Sequence, residues 1–150
     1  MNPAIDNVLA SPSARLRRAY RAMHRAVEAA TARFGATADQ FAMMRLVSHA
    51  EGITQRELAD LLASDPNTVA AMAARLEKQG LIRRTPHQRN AKARSIYLTP
   101  SGRRQLGKLI QAVRPVHIAL SACFLGDEGD KALVALDRVY LTTTEMRSSI

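Results

Sequence analysis

Hydrophobic positions recur at spacings of three and four along most of this chain and change period once. Leu16, Tyr20, Met23, Val27, Ala30 and Phe34 form one apolar seam of about six helical turns. Ser11-Pro12 supplies an N-cap and first helical residue for it, and Gly35 a C-terminal stop. Phe41, Met44 and Val47 mark a second helix. It opens at Thr37-Ala38-Asp39-Gln40, where Thr37 can cap the backbone while Gln40 reaches back, and it closes at Glu51-Gly52. Thr54-Gln55-Arg56-Glu57 repeats that capping pattern before a short helix with Leu58, Leu61 and Leu62 inward. A tight turn at Ala63-Ser64 leads to Asp65-Pro66, which opens a fourth helix with Val69, Met72, Ala73 and Leu76 inward and Gly80 as its stop.

The period then shifts to alternation. Residues 81–85 and 95–98 read as two short strands, joined by a polar, basic loop over residues 86–93. Thr99-Pro100 opens another helix, with its seam at Leu106, Ile110, Val113, His117, Leu120 and Phe124. Pro115 is expected to kink or split it. After a turn at Leu125-Gly126-Asp127, the last helix carries Leu133, Leu136, Val139 and Tyr140. Residues 1–10 show no pattern and are expected to fray or dock loosely, and residues 142–150 lose the pattern and are expected to fray. The fold class is mostly α with a small β-hairpin wing, a winged helix-turn-helix between long flanking helices.

Composition narrows the class. Hydrophobic residues make up 47% of the 150 residues and aromatics only 4%, so the core must rest on aliphatic side chains and Met. The net charge of +9 points to a polyanionic partner. A single cysteine, Cys123, excludes an internal disulfide and fits a reducing compartment. No apolar run approaches the roughly 18 residues of a membrane span. Residues 1–10 lack the charged-then-apolar order of a signal peptide. These features point to the cytoplasm.

Two short helices, a tight turn and a basic hairpin give an order that suits duplex DNA. The second helix can enter a major groove if its outer face is small or polar, and here that face carries Pro66, Asn67, Thr68, Ala70, Ala71 and Arg75. Gln55 and Arg56, at the start of the preceding helix, are further candidate contacts. The hairpin brings Arg84, Arg89, Asn90, Lys92 and Arg94 beside the groove, where phosphates attract cations.

In register over residues 37–102, Thr37-Ala38-Asp39-Gln40-Phe41, Thr54-Gln55-Arg56-Glu57-Leu58-Ala59, Thr68-Val69, Leu76-Glu77-Lys78-Gln79-Gly80-Leu81-Ile82-Arg83-Arg84 and Leu98-Thr99-Pro100-Ser101-Gly102 resemble the MarR family of regulators. The resemblance implies homodimers whose first and last helices interlock. It implies pseudo-palindromic operators, frequent repression, and release by a small, often aromatic, anion. It also divides the chain into an N-terminal dimerisation helix (1–36), a DNA-binding lobe (37–102) and C-terminal dimerisation helices (103–150). Two departures stand out. Asn90 and Lys92 occupy the wing positions where the family commonly carries Asp and Arg, and Ala71 stands where many members carry Arg.

Other features have plainer readings. Arg15, Arg17, Arg18, Arg21 and Arg25 read as the solvated face of an amphipathic helix. Tyr20, His24, Met44 and His117 place polar tips on apolar faces and are the candidates for effector binding. No short-range ligand spacing supports a metal. Cys123 reads as a buried small hydrophobe. No nucleophile elbow, phosphate-binding glycine loop or zincin motif occurs, so neither catalysis nor a cofactor is expected. The expected function is a ligand-responsive transcriptional regulator. The alternatives are a low-specificity architectural DNA binder and a winged-helix protein-interaction module.

Overall fold

The computed structural model describes residues 3–87 and 90–148, and contains seven helices and three strands among them. In chain order they are α1 (Pro3–Ala10), α2 (Pro12–Ala32), α3 (Ala38–His49), β1 (Ile53–Thr54), α4 (Gln55–Leu61), α5 (Pro66–Lys78), β2 (Ile82–His87), β3 (Asn90–Leu98), α6 (Pro100–Ala122) and α7 (Gly126–Ser148). Met1–Val113 form one compact unit and Arg114–Ile150 a second.

Local chemistry sets most boundaries. Thr37 accepts from Gln40 N at 3.1 Å, and Thr37 N donates to Gln40 Oε1 at 3.1 Å, so both halves of the capping box are made. The same exchange links Thr54 and Glu57. Gly80 closes α5 at φ +69°, a conformation that costs side-chain-bearing residues energy. Ala63 adopts φ +48° in the α4–α5 turn, where Ser64 N donates to Ala59 O at 2.9 Å.

The first unit's core is aliphatic and Met-rich: Met43, Met44, Val47, Leu58, Val69, Leu76, Ile96, Leu109 and Val113 are fully buried. The sheet is antiparallel with order β1-β3-β2, and pairs Ile53 with Ile96 and Ile82 with Leu98. Gln105 Nε2 donates to Phe34 O at 2.8 Å and Arg103 pairs with Glu51 at 2.8 Å, anchoring the start of α6 to the loops after α2 and α3.

Several expectations are corrected. Residues 3–10, expected to fray or dock loosely without a regular element, form a helix. Ser11 ends it by donating to Val8 O at 2.7 Å, and Arg15 Nε donates to Ala10 O at 2.9 Å, so Arg15 caps this helix rather than only facing solvent. The hairpin strands are longer than expected, reaching His87 and restarting at Asn90, and residues 53–54 add a third strand. Leu61 is 61% exposed, because the inward arc of the seven-residue α4 is already filled by Leu58 and Ala59. Helix α6 runs unsplit through Pro115, and its inner face is carried by Leu106, Leu109, Ala112 and Val113, with Ile110 half-buried. Helix α7 continues to Ser148. Cys123 is exposed, with its Sγ 3.4 Å from Ala119 O.

Candidate nucleic-acid interface

Helix α5 is launched by its cap. Asp65 accepts from Thr68 N at 2.9 Å and from the Thr68 hydroxyl, and these bonds, the hydroxyl's first, hold the Asp65 carboxyl below its ordinary range. With Val69, Ala73 and Leu76 buried, α5 presents Pro66, Asn67, Thr68, Ala71 and Arg75 to solvent, while Ala70 is half-buried. That is the small, polar surface expected of a groove reader. The Thr68 hydroxyl, however, donates its proton to the cap and is left as an acceptor only.

Arg84, expected at the DNA surface, is half-buried and paired with Glu77. Its backbone N, Nε and Nη2 donate to the Glu77 carboxylate at 3.0, 2.9 and 2.5 Å, and Nη1 lies 3.5 Å from Gln55 Oε1. A forked guanidinium beside a carboxylate is a strong charge-assisted pair. It holds the Glu77 carboxyl below its ordinary range, with Arg94 adding a smaller attraction. Arg94 itself is exposed, opposite Pro86 in the hairpin. Glu77 is therefore an acidic neighbour of the wing that the sequence pattern does not reveal. Arg56 is exposed and Gln55 half-buried. Asn90 and Lys92 lie in β3, and their side chains, like the whole of Arg89, lie outside the described residues. On the hairpin's outer side Arg83 stacks over Tyr97 at 4.4 Å.

Next to α5 lies a cavity of about 400 Å³. Its walls include His24 and Glu28 of α2, Asp39 and Gln40 of α3, and Thr68, Ala71, Met72 and Arg75 of α5. Glu28 accepts from Ala38 N at 2.6 Å, and His24 Nε2 sits 3.3 Å from Asp39 Oδ1. Arg75 forms no ion pair among the described residues and is the cavity's available cation. Of the effector candidates, His24 lines this cavity. Tyr20 is 55% exposed and its ring lies 5.7 Å from that of His24. Met44 is sealed in the core and does not reach the cavity. His117 belongs to the second unit. Thr68, Ala71 and Arg75, assigned from sequence to DNA, also line this cavity. Among the described residues no group of three or more His, Cys, Asp or Glu is placed to hold a metal ion.

The MarR family model matches residues 36–93, which span α3 to the hairpin. The transcriptional regulator HosA of Escherichia coli O157:H7 is 32% identical over 110 residues, covering 71% of this chain and 78% of HosA. This chain belongs to the MarR family. Three further HosA sequences from Escherichia coli match at 33% identity over 64% of their length. Among solved structures, a mutant of Escherichia coli MarR complexed with operator DNA superposes with a TM-score of 0.76 at 22% identity, covering 90% of this chain and 96% of that one. The transcriptional repressor CouR bound to a 23-mer DNA duplex gives 0.74 at 24% identity, covering 89% and 94%. CouR from Rhodococcus jostii RHA1 has also been solved with p-coumaroyl-CoA. These likenesses establish the winged-helix fold of this MarR-family chain. No single helix among the described residues is long and apolar enough to cross a membrane.

Proposed function

We propose that this MarR-family protein is a cytoplasmic transcriptional repressor that binds a pseudo-palindromic DNA operator as a homodimer. In this reading α5 reads bases, the wing holds phosphates, and a small organic anion in the cavity beside α5 releases the DNA. The carrying observation is the outer face of α5: Asn67 and Ala71 are exposed on a helix whose other side is locked into the core, next to a cationic hairpin. The DNA complexes of MarR and CouR support this reading, and the p-coumaroyl-CoA complex of CouR supports an organic anion as effector. Arg75 and His24 are its cation and polar anchor in the cavity.

Helix α7 supports the dimer. Leu133, Leu136, Val139 and Tyr140, all spaced for one helical face, are each at least 40% exposed, and α1 leaves Ile5 and Val8 uncovered. Apolar area of that extent on a single chain marks an association surface. Sedimentation should give a dimer at micromolar concentration, and a well-behaved monomer overturns that part.

The function is tested by selecting duplexes from a randomised pool and from genomic fragments, then comparing selected with mixed-sequence DNA at fixed salt. A sequence-specific regulator should prefer its selected duplex by about 10³-fold or more. Benzoate, p-coumarate and p-coumaroyl-CoA are the first probes for release. A second reading, a low-specificity architectural DNA binder, is favoured by one observation. The Thr68 hydroxyl proton goes to Asp65, so Thr68 can only accept from a base edge, and Asn67 is left as the exposed α5 side-chain amide able both to donate and to accept. Enrichment of no sequence would select that reading.

A further inference from the structure

We propose that Glu77 and Arg84 are positioning residues for DNA binding, one ion pair that fixes the angle between the wing and the recognition helix α5. The proposal rests on reading α5 and the wing as the DNA interface. It differs from the sequence expectation, which leaves Arg84 among the wing cations that meet DNA.

The geometry is unusually complete for a pair near a surface. Glu77 stands in the last turn of α5 and Arg84 is the third residue of β2, with the Gly80 turn between them. One carboxylate accepts three bonds from one residue: Oε1 from the Arg84 backbone N, and Oε2 from Nε and Nη2. The backbone bond matters, because it fixes the strand itself and not merely a mobile side chain. The remaining Nη1 points to Gln55, in the first turn of α4, at 3.5 Å. Elements α4, α5 and β2 therefore meet at a single guanidinium. Its side chain is only 25% exposed, and Glu77 takes its backbone N–H and two of the five guanidinium N–H groups, so a phosphate would have to share the guanidinium with a carboxylate already paired to it. Exposed Arg94, on the paired strand, lies close enough to attract the same carboxylate, which offsets the negative charge Glu77 brings to a face that must approach DNA.

An acid retained at such a face distinguishes the two roles by sign. If Arg84 held a phosphate, Glu77 would compete with DNA for it, and Glu77→Gln would free the guanidinium and remove repulsion. Affinity would then rise. If the pair positions the wing, Glu77→Gln loosens β2 and affinity falls even though a negative charge has been removed.

The experiment measures binding of wild type, Glu77→Gln, Arg84→Gln, Arg84→Lys and the double Gln variant. The probes are the duplex that wild type selects from a randomised pool and a mixed-sequence duplex, each over a salt series, with a thermal melt and amide exchange of β2 and β3 for each variant. Each single Gln change should weaken the selected duplex by about tenfold or more, and the double change no further than the worse single, because both break one interaction. The slope of log affinity against log salt should stay at the wild-type value, and wing amides should exchange faster. Arg84→Lys keeps the charge but not the fork, so it should behave like Arg84→Gln. If Arg84→Gln fails to fold, Arg84→Lys and Glu77→Gln decide. Tighter binding by Glu77→Gln overturns the proposal. So does a fall in salt slope of about one unit per contact for Arg84→Gln, or an Arg84→Lys variant that binds like wild type. Should wild type select no sequence, the specific-regulator reading fails on its own, and the sign of Glu77→Gln on the mixed-sequence duplex, with the wing amides, still decides the positioning role.

Discussion

His24 Nε2 lies 3.3 Å from Asp39 Oδ1, so the long helix α2 touches the first turn of α3 at the wall of the cavity beside α5. The Asp39 side chain is well exposed and that of His24 about one-third exposed. A pair in such contact with water contributes less than about 1 kcal/mol. His24→Ala should therefore shift Tm by no more than about 4 °C, while weakening the response to whichever anion releases DNA. Thermal melts and ligand titrations check both halves. A large stability loss would make His24 a structural residue instead.

Asn67 and Lys92 separate base reading from charge. Asn67→Ala should cost about 1–3 kcal/mol on a selected duplex and leave mixed-sequence binding nearly intact, since an uncharged amide contributes hydrogen bonds to base edges. Lys92→Ala should weaken both duplexes and lower the salt slope by about one unit per contact, or about two per dimer. A salt titration on both duplexes decides. Equal weakening by Asn67→Ala would remove α5 from the role of reader.

Among the seven glycines, Gly102 leaves the least room for a side chain. A Cβ there would stand 1.9 Å from Leu81 O, a backbone atom that cannot swing aside. Gly102→Ala should force the start of α6 away from the wing root and lower Tm by more than any single cap deletion in the lobe. Thr37→Ala, worth about 1 kcal/mol as a lost N-cap, is the reference. Denaturant unfolding of the two variants makes the comparison.

Acid should loosen the α4–α5–wing region in particular. Glu57, Asp65 and Glu77 all have lowered pKa values, through bonds from Thr54, Thr68 and Arg84 respectively. A carboxyl whose folded pKa lies below its unfolded value, about 4, stabilises fully above that value and loses its contribution as pH falls through the folded one. Stability should thus hold from pH 7 to about 5 and decline below about 4. Glu77→Gln should show a shallower decline. Urea midpoints at several pH values test this, and a wild-type protein equally stable at pH 3 would contradict it.

The elements legible in the sequence are those specified by near neighbours. The caps at Thr37, Thr54 and Asp65 and the stop at Gly80 act within four residues, and each appears as read. What the sequence conceals depends on distant partners. Strand β1 is two residues long and exists through pairing with Ile96 and Ser95. Leu61 matches an inward pattern, but α4 is too short to bury all its leucines. In sequence Glu77 looks like an ordinary charge on the last turn of a helix, and Arg84 like one cation among several. Only the turn at Gly80 brings them together. The cavity is half visible: His24 stands out from the pattern, whereas Glu28, Asp39 and the cavity side of Arg75 become apparent only because α2, α3 and α5 border one cavity.

The Thr99 hydroxyl donates to Gly80 O at 2.6 Å and accepts from Gly102 N at 3.0 Å, so the end of α5, the root of the wing and the start of α6 share one hydroxyl group. The lobe is for this reason not a cassette that can be cut out where the wing ends. A chimera that grafts a foreign reading head ending at Leu98 would sever that shared joint, because Gly80 would leave while Thr99 and Gly102 stayed. One that carries the graft on through Gly102 would transplant it whole.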